Sequence, residues 1–119
     1  MLEVGRMSVE GIWTGEIYGP YGWENRGVFL LEKGRIMGGD SRQYSLGRYR
    51  VEGDTLKADM VVHYYGPPRT VFGEERERFE IQIAGTIEND MIDGEVIRPE
   101  KEQYALAYRL TKRMDLPDD

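Results

Sequence analysis

The feature that most constrains this chain is an alternation of apolar and polar residues, interrupted by turns at short intervals. From Thr55 to Tyr65, Leu56, Ala58, Met60, Val62 and Tyr64 fall on one face. Thr55, Lys57, Asp59, Val61, His63 and Tyr65 fall on the other. A period of two marks a strand with one buried face. The pattern returns later, with Phe79, Ile81, Ile83, Gly85 and Ile87 facing in and Glu80, Gln82, Ala84 and Thr86 facing out. A helix needs apolar residues recurring three and four apart, and no segment supplies them convincingly. The best helical candidate is a single turn at Pro99-Glu100-Lys101-Glu102. The fold class is therefore all-β.

The turns set the strand count. Gly11 to Tyr18 reads as a first strand, with Trp13 and Ile17 on one face, followed by a loop over Gly19 to Asn25. Arg26 to Tyr44 reads as two strands around a Lys33-Gly34 turn, which is hairpin chemistry between apolar runs. The second of these runs into Gly38 and Gly39, a pair that predicts a bend or a close backbone approach. The expectation is an unfavourable backbone conformation at one of them, with the Asp40 carboxylate capping the turn. Tyr44 to Val51 is a fourth strand, and Glu52-Gly53-Asp54 is the tightest turn signal in the chain. Strands then run over 55–65, 74–87, 91–98 and 103–112, with a proline-bearing loop from Gly66 to Gly73. Eight strands with short connections favour a meander, and a meander of this size closes into an up-and-down antiparallel barrel without exposed edges. A sandwich is the alternative.

At 119 residues the chain forms one domain, 1–119, with residues 1–6 and 114–119 expected to fray. It has no cysteine and no apolar stretch of membrane-spanning length, so a cytoplasmic protein with no membrane partner is the expectation. Sixteen basic and 22 acidic residues leave a net charge of −6, which argues against direct nucleic-acid binding.

Chemistry is sparse. The one histidine, His63, lies on the more polar face of its strand. Ser41, Ser45 and Asp40 form no nucleophile elbow, and Gly38-Gly39 opens no helix that would cradle phosphate. The carboxylates are scattered at strand spacing, which predicts no metal site and no cofactor. The expectation is a protein without enzyme activity. The mixed run Glu74-Glu75-Arg76-Glu77-Arg78 reads as a solvated strand start, or as an edge that meets a charged partner.

Gly11-Ile12-Trp13 is similar to the Gly-x-Trp opening of lipocalins and fatty-acid-binding proteins. In those families an arginine of the last strand packs over the tryptophan, and Arg109 is the candidate for that part here. The resemblance supports a closed lipocalin- or calycin-like barrel, with Trp13 partly buried near Arg109.

The run Gly27-Val28-Phe29-Leu30-Leu31-Glu32-Lys33-Gly34-Arg35-Ile36-Met37-Gly38-Gly39-Asp40, then Tyr44, Gly47 and Val62-His63-Tyr64, resembles the GrlR family. Members are small negative regulators of type III secretion genes. The resemblance is best from Gly11 to about Tyr65. It implies a homodimeric eight-stranded barrel without enzyme activity, which binds a transcriptional activator and keeps it from DNA. The family's acidic Glu-Asp-Glu-Asp motif falls at the turn between strands four and five. Here that turn reads Val51-Glu52-Gly53-Asp54, so Glu52 and Asp54 inherit the partner-binding role.

Two functions therefore stand. One is a protein-interaction module, an acidic homodimer that sequesters a protein partner. Its dimer interface is drawn from apolar residues on nominally outward faces, Phe29, Leu31, Val61 and Ile97. The other is a carrier of a small hydrophobic ligand. The interior separates them, because a cavity of a few hundred cubic ångströms favours the carrier.

Overall fold

The computed structural model describes residues 9–65, 78–99 and 101–117, with the backbone alone for 101–104. Eight strands follow in order: β1 (Gly11–Gly19), β2 (Gly22–Glu32), β3 (Arg35–Gly39), β4 (Gln43–Glu52), β5 (Thr55–Tyr64), β6 (Arg78–Glu88), β7 (Met91–Arg98) and β8 (Lys101–Met114). Each pairs antiparallel with the next, and β8 pairs with β1. The sheet is a closed up-and-down barrel, as the alternation and turn spacing predict, and its backbone donors and acceptors find partners around the whole circle. The expected fraying of residues 1–6, the proline loop and the charge run from Glu74 to Glu77 lie outside the described residues. β8 runs two residues past its expected end at Lys112, and Met114 pairs with Ile12.

The turns are tight. Lys33 and Gly34 both take positive φ (53° and 79°), the combination that matches strand twist in a two-residue hairpin. In the β4–β5 and β6–β7 turns the first residue alone takes positive φ, Gly53 at 65° and Asn89 at 57°. The expected loop over residues 19–25 is instead a two-residue turn at Pro20-Tyr21, closed by the Gly19–Gly22 pair. Gly22, at φ 103°, permits it.

The interior is mostly apolar, with Trp13, Leu31, Ile36, Leu56 and Ile92 almost fully buried, and it also takes in Arg26, Ser45 and Arg98. β5, β6 and β7 bury the faces that their alternation predicts. β2 does not. A register shift opposite Gly15/Glu16 leaves Arg26 without a counterpart on β1, and Gly27 sits there at φ 110°. This bulge reverses the facing of everything after it. Leu31 is 0% exposed and Phe29 packs against the core, so neither belongs to an outward interface. Val28 and Leu30 point out in their place, while Val61 and Ile97 do lie on the outer face, half-buried.

Candidate interaction surface and interior cavity

The outer face of β1 to β5 carries one apolar residue per strand, in register. Ile12 pairs with Leu30, Leu30 with Met37, Met37 with Leu46, and Leu46 with Val61; Glu80 ends the row on β6. Adjacent cross-strand side chains touch, so five separate residues become one apolar stripe. Leu46 is 51% and Met37 37% exposed. Two residues along the strands on one side runs a polar row, the charged Glu32, Arg35, Arg48 and Asp59 followed by the neutral Gln82. On the other side lie Val28, Gly39, Tyr44 and His63. Tyr44 stacks on His63 with ring centroids 4.9 Å apart and planes 8° apart, and Tyr65 leans on Tyr44 at 6.3 Å. An apolar stripe bounded by charge and by aromatic rings has the composition of a protein interface, with a dry centre and a polar rim.

The β4–β5 tip differs from the bare acidic protrusion that the sequence suggests. Glu52 accepts a hydrogen bond from Arg50 Nε at 3.0 Å and lies 3.6 Å from Lys57 Nζ. The Arg50 hydrogen bond, with the charges of Lys57 and Arg50, holds its carboxyl below the ordinary glutamate value. Two cations thus share the charge of one of the two predicted contact residues. Asp54 is exposed, and its carbonyl accepts the Ile87 amide at 2.7 Å, which ties this tip to the next. Glu88 and Asp90, both exposed, stand in that neighbouring β6–β7 tip. The acidic surface at this end therefore extends beyond Glu52 and Asp54.

Trp13 and Arg109 do not meet as expected. Trp13 is 1% exposed inside the barrel, where its indole N–H donates to the Val9 carbonyl at 2.9 Å. Arg109 alternates with the buried Tyr108 and Leu110, so its side chain lies outside. There it binds Asp93 at 2.8 Å and covers the ring of Trp23, 4.4 Å from the centroid. The cation–π contact exists on the other tryptophan and on the opposite face of the sheet.

The glycine bend also has another cause. Neither Gly38 nor Gly39 takes positive φ. A Cβ on Gly38 would lie 2.0 Å from the Val28 carbonyl oxygen, and one on Gly39 2.2 Å from that of Gln43. These strands approach too closely for a side chain, so glycine serves for space. Asp40 does cap the turn. Its Oδ1 accepts from the Arg42 and Gln43 amides at 2.8 and 3.1 Å, and its carbonyl accepts from the Tyr65 hydroxyl at 2.7 Å.

Inside the barrel lies a cavity of about 70 Å³, walled by residues such as Phe29, Met60, Val62 and Ile81. That is below the few hundred cubic ångströms of a lipid-sized pocket. Two of the polar residues that border it carry atoms without a hydrogen-bond partner. Arg26, 5% exposed, has no hydrogen-bond acceptor for Nε or Nη2; its nearest anion is Glu24, 3.8 Å from Nη2. Tyr108, 4% exposed, has no partner for its hydroxyl. Burial, with the charge of Asp93, pushes that hydroxyl well above the ordinary tyrosine range. Sequence reasoning missed Arg26, which reads as the first residue of a strand; the signal was Asn25-Arg26-Gly27, a turn-like triplet.

Among the described residues, no group of three histidine or acidic side chains is placed to hold a metal ion, and no helix is long and apolar enough to cross a membrane. No family model matches the chain, and no curated protein matches it.

Proposed function

We propose that this barrel is a non-enzymatic protein-interaction module that works as a homodimer and sequesters a basic protein partner such as a transcriptional activator. The observation that carries the reading is the five-strand apolar stripe, which water leaves uncompensated until a second surface covers it. A second copy fits that role. Consider a two-fold axis laid along the stripe, so that β4 packs on its own copy. Leu46 then meets Leu46, Arg48 approaches the partner's Tyr44, and Asp59 approaches the partner's His63. This arrangement sets the apolar residue of each strand against its own copy and keeps the polar row off the partner's polar row. The likeness to GrlR regulators agrees with it and supplies the activator as partner class.

The distribution of polarity supports a soluble, cytoplasmic setting. This barrel is mostly apolar within and carries Arg35, Arg48, Asp59 and Glu80 outside, the reverse of a lipid-facing wall. The acidic tips, with Asp54, Glu88 and Asp90 beside Glu52, offer rim charges to a lysine- or arginine-rich partner surface. Such charges act on encounter rate and salt sensitivity. The test is affinity capture from the native cell with the wild-type chain and with Glu52→Gln/Asp54→Asn. The double variant should keep its melting temperature and lose partner yield, more at low salt than at high salt. Equal recovery of the same partners at low salt would refute the role of these tips.

A further inference from the structure

The barrel interior holds a buried guanidinium, Arg26, whose Nε and Nη2 have no hydrogen-bond acceptor and whose ion-pair partner, Glu24, stands 3.8 Å from Nη2. A guanidinium removed from water without hydrogen-bond acceptors is expensive, and a hydroxyl in the same state adds to the cost. Arg26 and Tyr108 are both more than nine-tenths buried, both lack acceptors at the named atoms, and both border the same cavity. The placement of Arg26 follows from the β2 bulge. As the residue without a β1 counterpart, it leaves the alternation and enters the interior. Bulges commonly re-aim a side chain towards a site in this way. Gly27 fixes the bulge. Its φ of 110° suits glycine, and a Cβ there would lie 2.1 Å from the Gly39 carbonyl oxygen.

We propose that the cavity is a binding site for a short-chain monocarboxylate. Its carboxylate accepts from Arg26 Nε and Nη2 and from the Tyr108 hydroxyl, and its alkyl end lies against Met60, Val62 and Ile81. The guanidinium fork matches a carboxylate in bidentate geometry. Size excludes longer chains. At about 70 Å³ the space holds roughly five water-sized groups, which suits a ligand of a few heavy atoms rather than a fatty acid. The neutral isostere brings no charged acceptor to Arg26 Nε and adds nothing to its 3.8 Å ion pair with Glu24. Gln43 and Ser45 also line the cavity and offer secondary polar contacts. Glu16 borders it as well, but it is the register partner of the outward-lying Arg109. The site does not depend on the dimer.

The test titrates sodium butyrate and butyramide into the full-length chain, following thermal unfolding and two-dimensional NMR shifts at constant ionic strength. Butyrate should raise the melting temperature in a saturable manner and shift signals of β2 and β8. Butyramide and octanoate should do neither. Arg26→Met should abolish the butyrate response, and Tyr108→Phe should weaken affinity by roughly tenfold, as loss of a hydrogen bond to a charged group implies. Both variants are checked by circular dichroism, and Tyr108→Phe, which removes one oxygen, guards against misfolding of the other. No saturable response to butyrate, or an equal response in folded Arg26→Met, overturns the proposal.

Discussion

Gly39→Ala should destabilise the barrel more than its size suggests. The added Cβ would lie 2.2 Å from the Gln43 carbonyl oxygen and 2.8 Å from the Tyr44 Cα. An ordinary carbon–oxygen contact needs about 1 Å more than the first of these, so backbone must move. Little slack exists. β3 has five residues, is paired on both sides, and approaches the Gly27 bulge through the Gly39 carbonyl. Overpacking typically costs about 1–3 kcal/mol, and a clash with backbone rather than a side-chain end belongs at the top, about 3 kcal/mol. For a domain of this size that lowers the melting temperature by roughly 9–15 °C. Urea unfolding at fixed protein concentration is the assay, with a lower midpoint and an unchanged slope expected. Gly53→Ala is the control. It has positive φ (65°) but nothing within 4 Å of the new Cβ, so it reports backbone strain alone, about 1–2 kcal/mol. A Gly39→Ala loss within about 0.5 kcal/mol of zero, or below that of Gly53→Ala, would refute the steric account.

Three further outcomes follow from the packing and the charges. Trp13→Ala should lose about 3–5 kcal/mol, measured by urea midpoint, because it empties the most buried large site and strands the Val9 carbonyl. The Glu52 carboxyl, held low first by the Arg50 hydrogen bond, should titrate by NMR below an ordinary glutamate; its small contribution is present above the unfolded-state value and is lost as pH falls through the folded one, and Arg50→Gln should move the titration up. Tyr108 has the opposite sign. Its raised folded value means that stability is full below the ordinary tyrosine value and falls as pH rises past it, so Tyr108→Phe should flatten the alkaline limb of the stability profile.

The sequence makes the barrel legible because its strongest signals are local. Alternation names the inward faces of β5, β6 and β7, and Lys33-Gly34, Gly53-Asp54 and Asn89-Asp90 mark hairpins within a residue. Two of the errors share one source. The bulge at Arg26-Gly27 shifts the period of two by one residue, so Phe29 and Leu31 exchange faces with Val28 and Leu30. A one-residue slip cannot be seen in apolar pattern when both faces of Val28-Phe29-Leu30-Leu31 are apolar. The same slip hid Arg26, one of the polar residues buried in the interior. Arg109 was a different failure. Its alternation with Tyr108 and Leu110 already placed it outside, and a three-residue opening motif outweighed that period. The apolar stripe was illegible for a third reason. Leu30, Met37, Leu46 and Val61 become neighbours only through register, which no single strand reveals.

Sedimentation velocity on the wild-type chain and on Leu46→Glu tests the central claim, that the stripe across β1 to β5 is a self-association surface. Leu46 is 51% exposed in the single chain, so glutamate there should leave the fold intact by circular dichroism. Wild type should sediment as a dimer at tens of micromolar, the range in which a modest interface is populated, and Leu46→Glu as a monomer. A wild-type monomer at that concentration, or a Leu46→Glu dimer as tight as wild type, would contradict it.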